Sequence, residues 1–148
     1  MLTIQEKKQA VQLKKIALDK LSSHGIQDKF TVKIKPVQKN WVAQYRGKSQ
    51  FSSGGSIFWL SSELLNNPDE FVISVLHEYG HVIAEFAWMQ SPDLSQLIQD
   101  NWKGEFHGRP WNEENFAEEF AQYLAGRFCS SKEILNQVIV QFIKDALT

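Results

Sequence analysis

Cysteine is nearly absent from this chain of 148 residues. Cys129 stands alone, so no intramolecular disulfide can form. With no pair to oxidise, the redox compartment is left open, and a reducing cytosol is compatible with it. An excess of charge of either sign is also lacking. The formal net charge is −1, which removes any global electrostatic case for nucleic acid or an anionic membrane as partner. No apolar run approaches the roughly 18 residues needed to span a bilayer. The first twenty residues, MLTIQEKKQAVQLKKIALDK, are too charged to form the hydrophobic region of a signal peptide. The expected location is the cytoplasm, or a destination reached without a cleavable signal. Repeats, low-complexity tracts and linkers are missing too, so the expectation is one domain over residues 1–148, a length that suffices to bury a core.

Aromatic residues are plentiful: 12% of the chain, with 5 Trp and 10 Phe, which predicts a bulky core. The chain starts with a helical pattern over residues 3–22, with Ile4, Val11, Leu13, Ile16, Ala17 and Leu21 on one side and Gly25 as the stop. Phe30, Val32 and Ile34 alternate with polar residues and predict a half-buried strand ended by Pro36. WVAQYRGKS (41–49) is a weaker strand, SSGGS (52–56) a turn, and SIFWLS (56–61) a third strand. NNPDE begins a helix: Asn67 caps, Pro68 suits the first position, and Asp69 and Glu70 suit the positive end of the helix dipole. That helix runs to about Met89 and is apolar on nearly every side, so it belongs in the interior. Beyond Ser91-Pro92 lies a polar stretch, 91–111, with a helical segment at DLSQLIQDNW. Two further helices follow, one at NEENFAEEFAQYLAGRF and one from SSKE to Leu147. The divisions are a helix and sheet over about 1–65, a central helix over about 68–89, and a helical part over about 91–147.

The central helix carries HEYGH. His77 and His81 stand four residues apart, so both imidazoles lie on one face and can reach a single ion. Glu78 sits one residue round the helix, placed to hold a water and take its proton. This is the H-E-x-x-H arrangement of zinc peptidases. About one shuffled chain in 100 of this composition would carry it, so chance explains it poorly. Val75, Leu76, Val82 and Ile83 surround the pair, and two unpartnered imidazoles among them would be costly. Gly80 costs up to about 1 kcal/mol in a helix relative to alanine. It makes sense where another segment must approach closely between the histidines.

A catalytic zinc ion usually has three protein ligands and one open position. No third histidine follows at short spacing. The downstream helix offers glutamates instead. Glu114 and Glu118 share a face with Ala117 and Ala121, whose small side chains permit close helix packing. Glu114 is assigned as third ligand, and Glu118 as acceptor for the outer nitrogen of a ligand histidine. Glu113 and Glu119 are assigned to a solvated face. Glu85, one turn after His81, is read either as a support to the ligands or as a salt-bridged rim residue.

HEYGH followed by ENFAEEF resembles the gluzincin metallopeptidases, whose third ligand is a glutamate on a second helix with an acidic residue four positions later. The likeness is strongest to the catalytic domain of anthrax lethal factor and related small proteases, with the pattern Y-G-R, four residues, then E-x-x-A-E-x-F. In HGRPWNEENFAEEF the residues Gly108, Arg109, Glu114, Ala117, Glu118 and Phe120 match without a gap. His107 stands where that family has an oxyanion-stabilising tyrosine. Two readings of it remain open: an N–H donor to the oxyanion, or a loop histidine with no catalytic part. Tyr79 and Tyr123 are rival donors better suited to the core. Repressor-cutting phage and stress proteases are a second likeness, through E-x-x-A-x-x-F-A at Glu114, Ala117, Phe120 and Ala121. The resemblance covers about residues 56–143 and is specific at 77–81 and 107–120.

It implies an α+β zincin-like domain, with a small twisted sheet, an active-site helix and a C-terminal helical part. It implies one Zn2+ on His77, His81 and Glu114, with Glu78 as general base for hydrolysis of a peptide bond in a protein or peptide. Such enzymes hold extended substrate along a sheet edge. Ile57, Phe58 and Trp59, in the strand just upstream of the metal helix, are predicted to line that cleft, the alternative being a buried central strand. Trp88, Trp102 and Trp111 are read as pocket walls or core. The competing functions are a non-catalytic or latent module of the same fold that binds a protein partner, and a regulatory protease that cuts a repressor. No residue pattern speaks to oligomeric state.

Overall fold

The computed structural model describes residues 2–35, 43–46, 56–106 and 109–147, of which 43–46, 103–106 and 109–111 are described by backbone alone. The chain is α+β. Its order is α1 (Ile4–Ser23), β1 (Phe30–Lys35), β2 (Ala43–Arg46), β3 (Ser56–Ser61), a 3₁₀ turn (Ser62–Asn66), α2 (Pro68–Gln90), α3 (Pro92–Asn101), β4 (Lys103–Phe106), β5 (Arg109–Trp111), α4 (Glu113–Leu124), α5 (Lys132–Phe142) and a wider closing turn (Ile143–Leu147).

Local chemistry sets the helix ends. Thr3 and Glu6 exchange side-chain-to-backbone hydrogen bonds, each 3.0 Å, in a capping box at the start of α1. Gly25 ends it with a φ of 87°, a left-handed conformation that costs glycine least. The buried stripe of α1 is Leu13, Ala17 and Leu21, spaced by four. Ile4, Val11 and Ile16, expected on that stripe, face outward. At the start of α2, Asn67 accepts from the Glu70 amide and Pro68 takes the first position. Ser91 ends α2 and caps α3, accepting from the Leu94 amide while donating to Asp145 at 2.7 Å. Two carboxyl-directed donors, Gln141 and Ser91, hold the Asp145 carboxyl below its usual range.

The main sheet has the order β1-β3-β2. β1 runs parallel to β3, with Val32 opposite Phe58, and β2 runs antiparallel to it, with Tyr45 opposite Phe58. β4 and β5 form a separate antiparallel pair, an element that the polar composition of 91–111 did not suggest. α2 passes through the middle of the molecule, against α1, α3, α4 and the sheet. Its own Phe71 and the surrounding Phe58, Phe116, Phe120 and Phe142 are all fully buried. Each such side chain stabilises the fold by about 2–3 kcal/mol through removal from water. Tyr79 lies wholly inside this core, and its hydroxyl donates to Asp28 at 2.7 Å. Among the described residues no helix is long and apolar enough to cross a membrane.

β3 is the central strand, which corrects the expectation for Ile57, Phe58 and Trp59. Its backbone is paired on both sides, so it offers no free edge to a substrate. Phe58 is fully buried and stacks on Phe30 at 4.7 Å between ring centres. By strand alternation Ile57 and Trp59 point to the opposite face, where the ammonium groups of Lys33 and Lys35 lie 5.2 and 4.2 Å from the Trp59 ring centre. The apolar character of this strand reflects its central position. Of the three strands, β2 packs most extensively on α2.

Candidate metal centre

Packing of α4 on α2 builds the site. Gly80 is buried, and a Cβ there would stand 2.8 Å from the Ala117 Cα and 3.0 Å from its Cβ. Only a glycine opposite an alanine lets the two helix backbones come this close. The contact falls between His77 and His81 in sequence and brings the first turns of α4 against both.

The side chains converge accordingly. His77 Nε2 and His81 Nε2 are 3.2 Å apart. The Glu114 carboxylate spans them, with Oε2 3.2 Å from His77 Nε2 and Oε1 2.6 Å from His81 Nε2. The other ring nitrogens also face carboxylates. His77 Nδ1 is 3.1 Å from Glu118 Oε2, and His81 Nδ1 is 2.5 Å from Glu113 Oε2. A carboxylate can only accept, so each imidazole donates from Nδ1, and a protonated ring donates from Nε2 to Glu114 as well. Glu118 also accepts from Gln122 at 2.8 Å. Glu78 is buried in α2, and its charge is near enough to favour protonation of both histidines.

The electrostatics follow from this crowding. Burial is the largest single influence on His77 and works against its charge, but hydrogen bonding to Glu114 and the charges of Glu114 and Glu78 together prevail, and the pKa rises above the ordinary 6.5. Burial also opposes charge on His81. Its bonds to Glu113 and Glu114 and the charge of Glu78 prevail and push it up to about 9. The same bonds, from His77 and His81, hold the Glu114 carboxyl well below its usual range. A proton and any cation bound here would therefore compete for the same Nε2 lone pairs.

His77, His81 and Glu114 form a group that could hold a metal ion, one ligand atom from each lying within 4.8 Å of the others. The donor set suits zinc: two imidazoles and a carboxylate, with each imidazole oriented by a carboxylate behind it. Neighbouring ligands of a tetrahedral zinc ion, each about 2.0–2.1 Å from the metal, stand about 3.3 Å apart. The two imidazole nitrogens stand 3.2 Å apart, and each is met by a different Glu114 oxygen, His77 by Oε2 at 3.2 Å and His81 by Oε1 at 2.6 Å.

Glu113 departs from the sequence expectation. Its side chain is 12% exposed and bonded to His81, not part of a solvated face. The signal lay in its position: it stands one turn before Ala117 and Ala121, the fully buried stripe of α4. Glu119 departs too. It accepts from the Trp102 indole N–H and from Ser131 Oγ, tying the end of α3 to the start of α5. Trp102 is buried and Trp88 is exposed. The Trp111 side chain lies outside the described residues, as does His107. Tyr79 donates to Asp28 and Tyr123 to Asn136, so both hydroxyls are engaged away from the centre. Comparison with protein-family models, with curated proteins and with solved structures finds no match.

Proposed function

We propose that the protein is a zinc-dependent endopeptidase of the gluzincin type, acting on a peptide bond in a protein or peptide substrate. The observation that carries this reading is the convergence of His77 Nε2, His81 Nε2 and the Glu114 carboxylate across two helices, with a buried Glu78 beside them. A structural pair of histidines would need neither a shared carboxylate nor a second acid within reach of both rings.

His77, His81 and Glu114 would hold the ion, leaving a position for substrate and water. When bound, zinc supplies a Lewis acid that polarises the scissile carbonyl and acidifies a water. Glu78 takes the proton of the attacking water and delivers it to the leaving amine. Its burial keeps that proton from bulk solvent, while the carboxylates of Glu113 and Glu118 hold the ligand rings in register. His107 is proposed as an N–H donor to the oxyanion, on its match to the family tyrosine. Extended substrate is assigned to the edge of β2, because among the described residues β2 pairs only with β3 and packs most on α2. A zincin-like fold belongs to the same proposal.

The test is metal analysis of purified protein together with a peptide-library cleavage profile, using Glu78→Gln as the control. One zinc per chain and sequence-dependent cleavage are expected. Glu78→Gln should keep the zinc and lose cleavage by about 10²-fold or more. A variant that cleaves as fast as wild type refutes Glu78 as base. Zinc binding without cleavage of any library member would favour a binding module.

A further inference from the structure

We propose that Glu113 is the principal positioning residue of the metal centre, holding His81 with its proton on Nδ1 and its Nε2 lone pair directed at the ion. This rests on the metallopeptidase reading and deepens it. Glu113 Oε2 lies 2.5 Å from His81 Nδ1, and both side chains are only 12% exposed. The corresponding contact of Glu118 with His77 is 3.1 Å, and the Glu118 side chain is 53% exposed. A charge-assisted bond strengthens as water is excluded from it, so the drier and shorter pair is the stronger one.

The placement on α4 explains how Glu113 reaches this position. Glu113, Ala117 and Ala121 form a stripe at four-residue spacing, and the two alanines are fully buried. Ala117 rests on Gly80, and Glu113, one turn earlier on that stripe, reaches the ring of His81, the residue next to Gly80. Glu113 and Glu114 thus engage opposite nitrogens of one imidazole: Glu113 at Nδ1 and Glu114 at Nε2. Rotation of the His81 ring would break both contacts. A carboxylate behind a ligating histidine fixes its tautomer and raises its basicity toward the metal, and loss of such a group typically costs 10–100-fold in affinity.

The experiment is a zinc competition titration against a chromophoric chelator for wild type, Glu113→Ala, Glu113→Gln and Glu118→Ala. It is accompanied by nitrogen-detected NMR of the His81 ring in the zinc-loaded proteins. Glu113→Ala should weaken zinc binding by about 10–100-fold, more than Glu118→Ala does, and should lose the Nδ1–H signal of His81. Glu113→Gln keeps an acceptor oxygen without the charge. It should retain the signal, fall between wild type and Glu113→Ala in affinity, and serve if the alanine variant fails to fold. Equal affinity in wild type and the Glu113 variants, or a larger loss in Glu118→Ala, overturns the assignment while leaving the metallopeptidase reading intact. A wild-type protein that takes up no zinc overturns both, and the two failures are told apart by that first measurement.

Discussion

At His81, burial favours the neutral ring, and three carboxylates favour the charged one. The carboxylates prevail, and the pKa rises from the ordinary 6.5 to about 9. A group whose pKa is raised on folding stabilises the fold fully below its unfolded value, and that contribution disappears as the pH climbs through the folded value. Chelator-treated protein should therefore lose stability between about pH 6.5 and 9. Glu114 acts in the opposite sense. Its pKa is depressed, so its contribution is present above the ordinary 4.5 and is lost as the pH falls through its lowered value. Zinc affinity should rise over the same interval, 6.5 to about 9, because the ion must displace the ring protons. Denaturant melts of chelated protein and zinc competition titrations across this range check the two trends. Parallel trends would mean that the His81 proton and the metal do not share a site.

Among the elements, the contact of α2 with α4 decides whether a centre exists at all. The proposed ligands come from both helices, and their mutual distance is set where Gly80 meets Ala117. In an isolated helix, glycine to alanine gains up to about 1 kcal/mol. Here the added methyl would meet backbone, at 2.8 Å from the Ala117 Cα, so the helices must part. Gly80→Ala is expected to destabilise the protein by about 1–3 kcal/mol, the usual cost of overpacking, and to weaken zinc binding because Glu113, Glu114 and Glu118 withdraw together. Chemical denaturation and zinc titration of this one variant measure both effects. A stabilised variant with unchanged zinc affinity would show that the helices need no such approach.

On the scale of the whole molecule, a metal on His77, His81 and Glu114 would be a tether between α2 and α4. A ligand bound to the native state alone, at a thousand times its dissociation constant, adds about 4 kcal/mol to stability. For a chain of this size that corresponds to a loss of melting temperature on the order of 10 °C when the metal is removed. Thermal melts before and after chelation, with zinc restored as the final step, test this. Full recovery of the melting temperature on zinc addition is expected, and no change on chelation would contradict a metal that holds the fold together.

What the amino-acid sequence determined by itself was the part governed by local geometry. The pitch of a helix is the same in any fold, so the four-residue spacings of His77 with His81 and of Glu114 with Glu118 already implied shared faces. Gly25 as a stop and Asn67-Pro68 as a start were legible for the same reason, since their hydrogen bonds lie within a few residues. Gly80 signalled a close approach, and the small Ala117 and Ala121 pointed to the helix that makes it. Tertiary structure decided what depends on partners distant in the chain. The apolar run of β3 fits a covered edge and a central strand equally well, and only pairing with both β1 and β2 makes it central. Glu113 and Glu119 look alike in sequence, yet one meets His81 and the other joins Trp102 and Ser131. Ile4 and Val11 fit a helical stripe but lie off the line that Leu13, Ala17 and Leu21 press into the core. Which of several plausible faces is buried is settled by the contacts that remove the most apolar surface from water, and those are made between segments far apart in sequence.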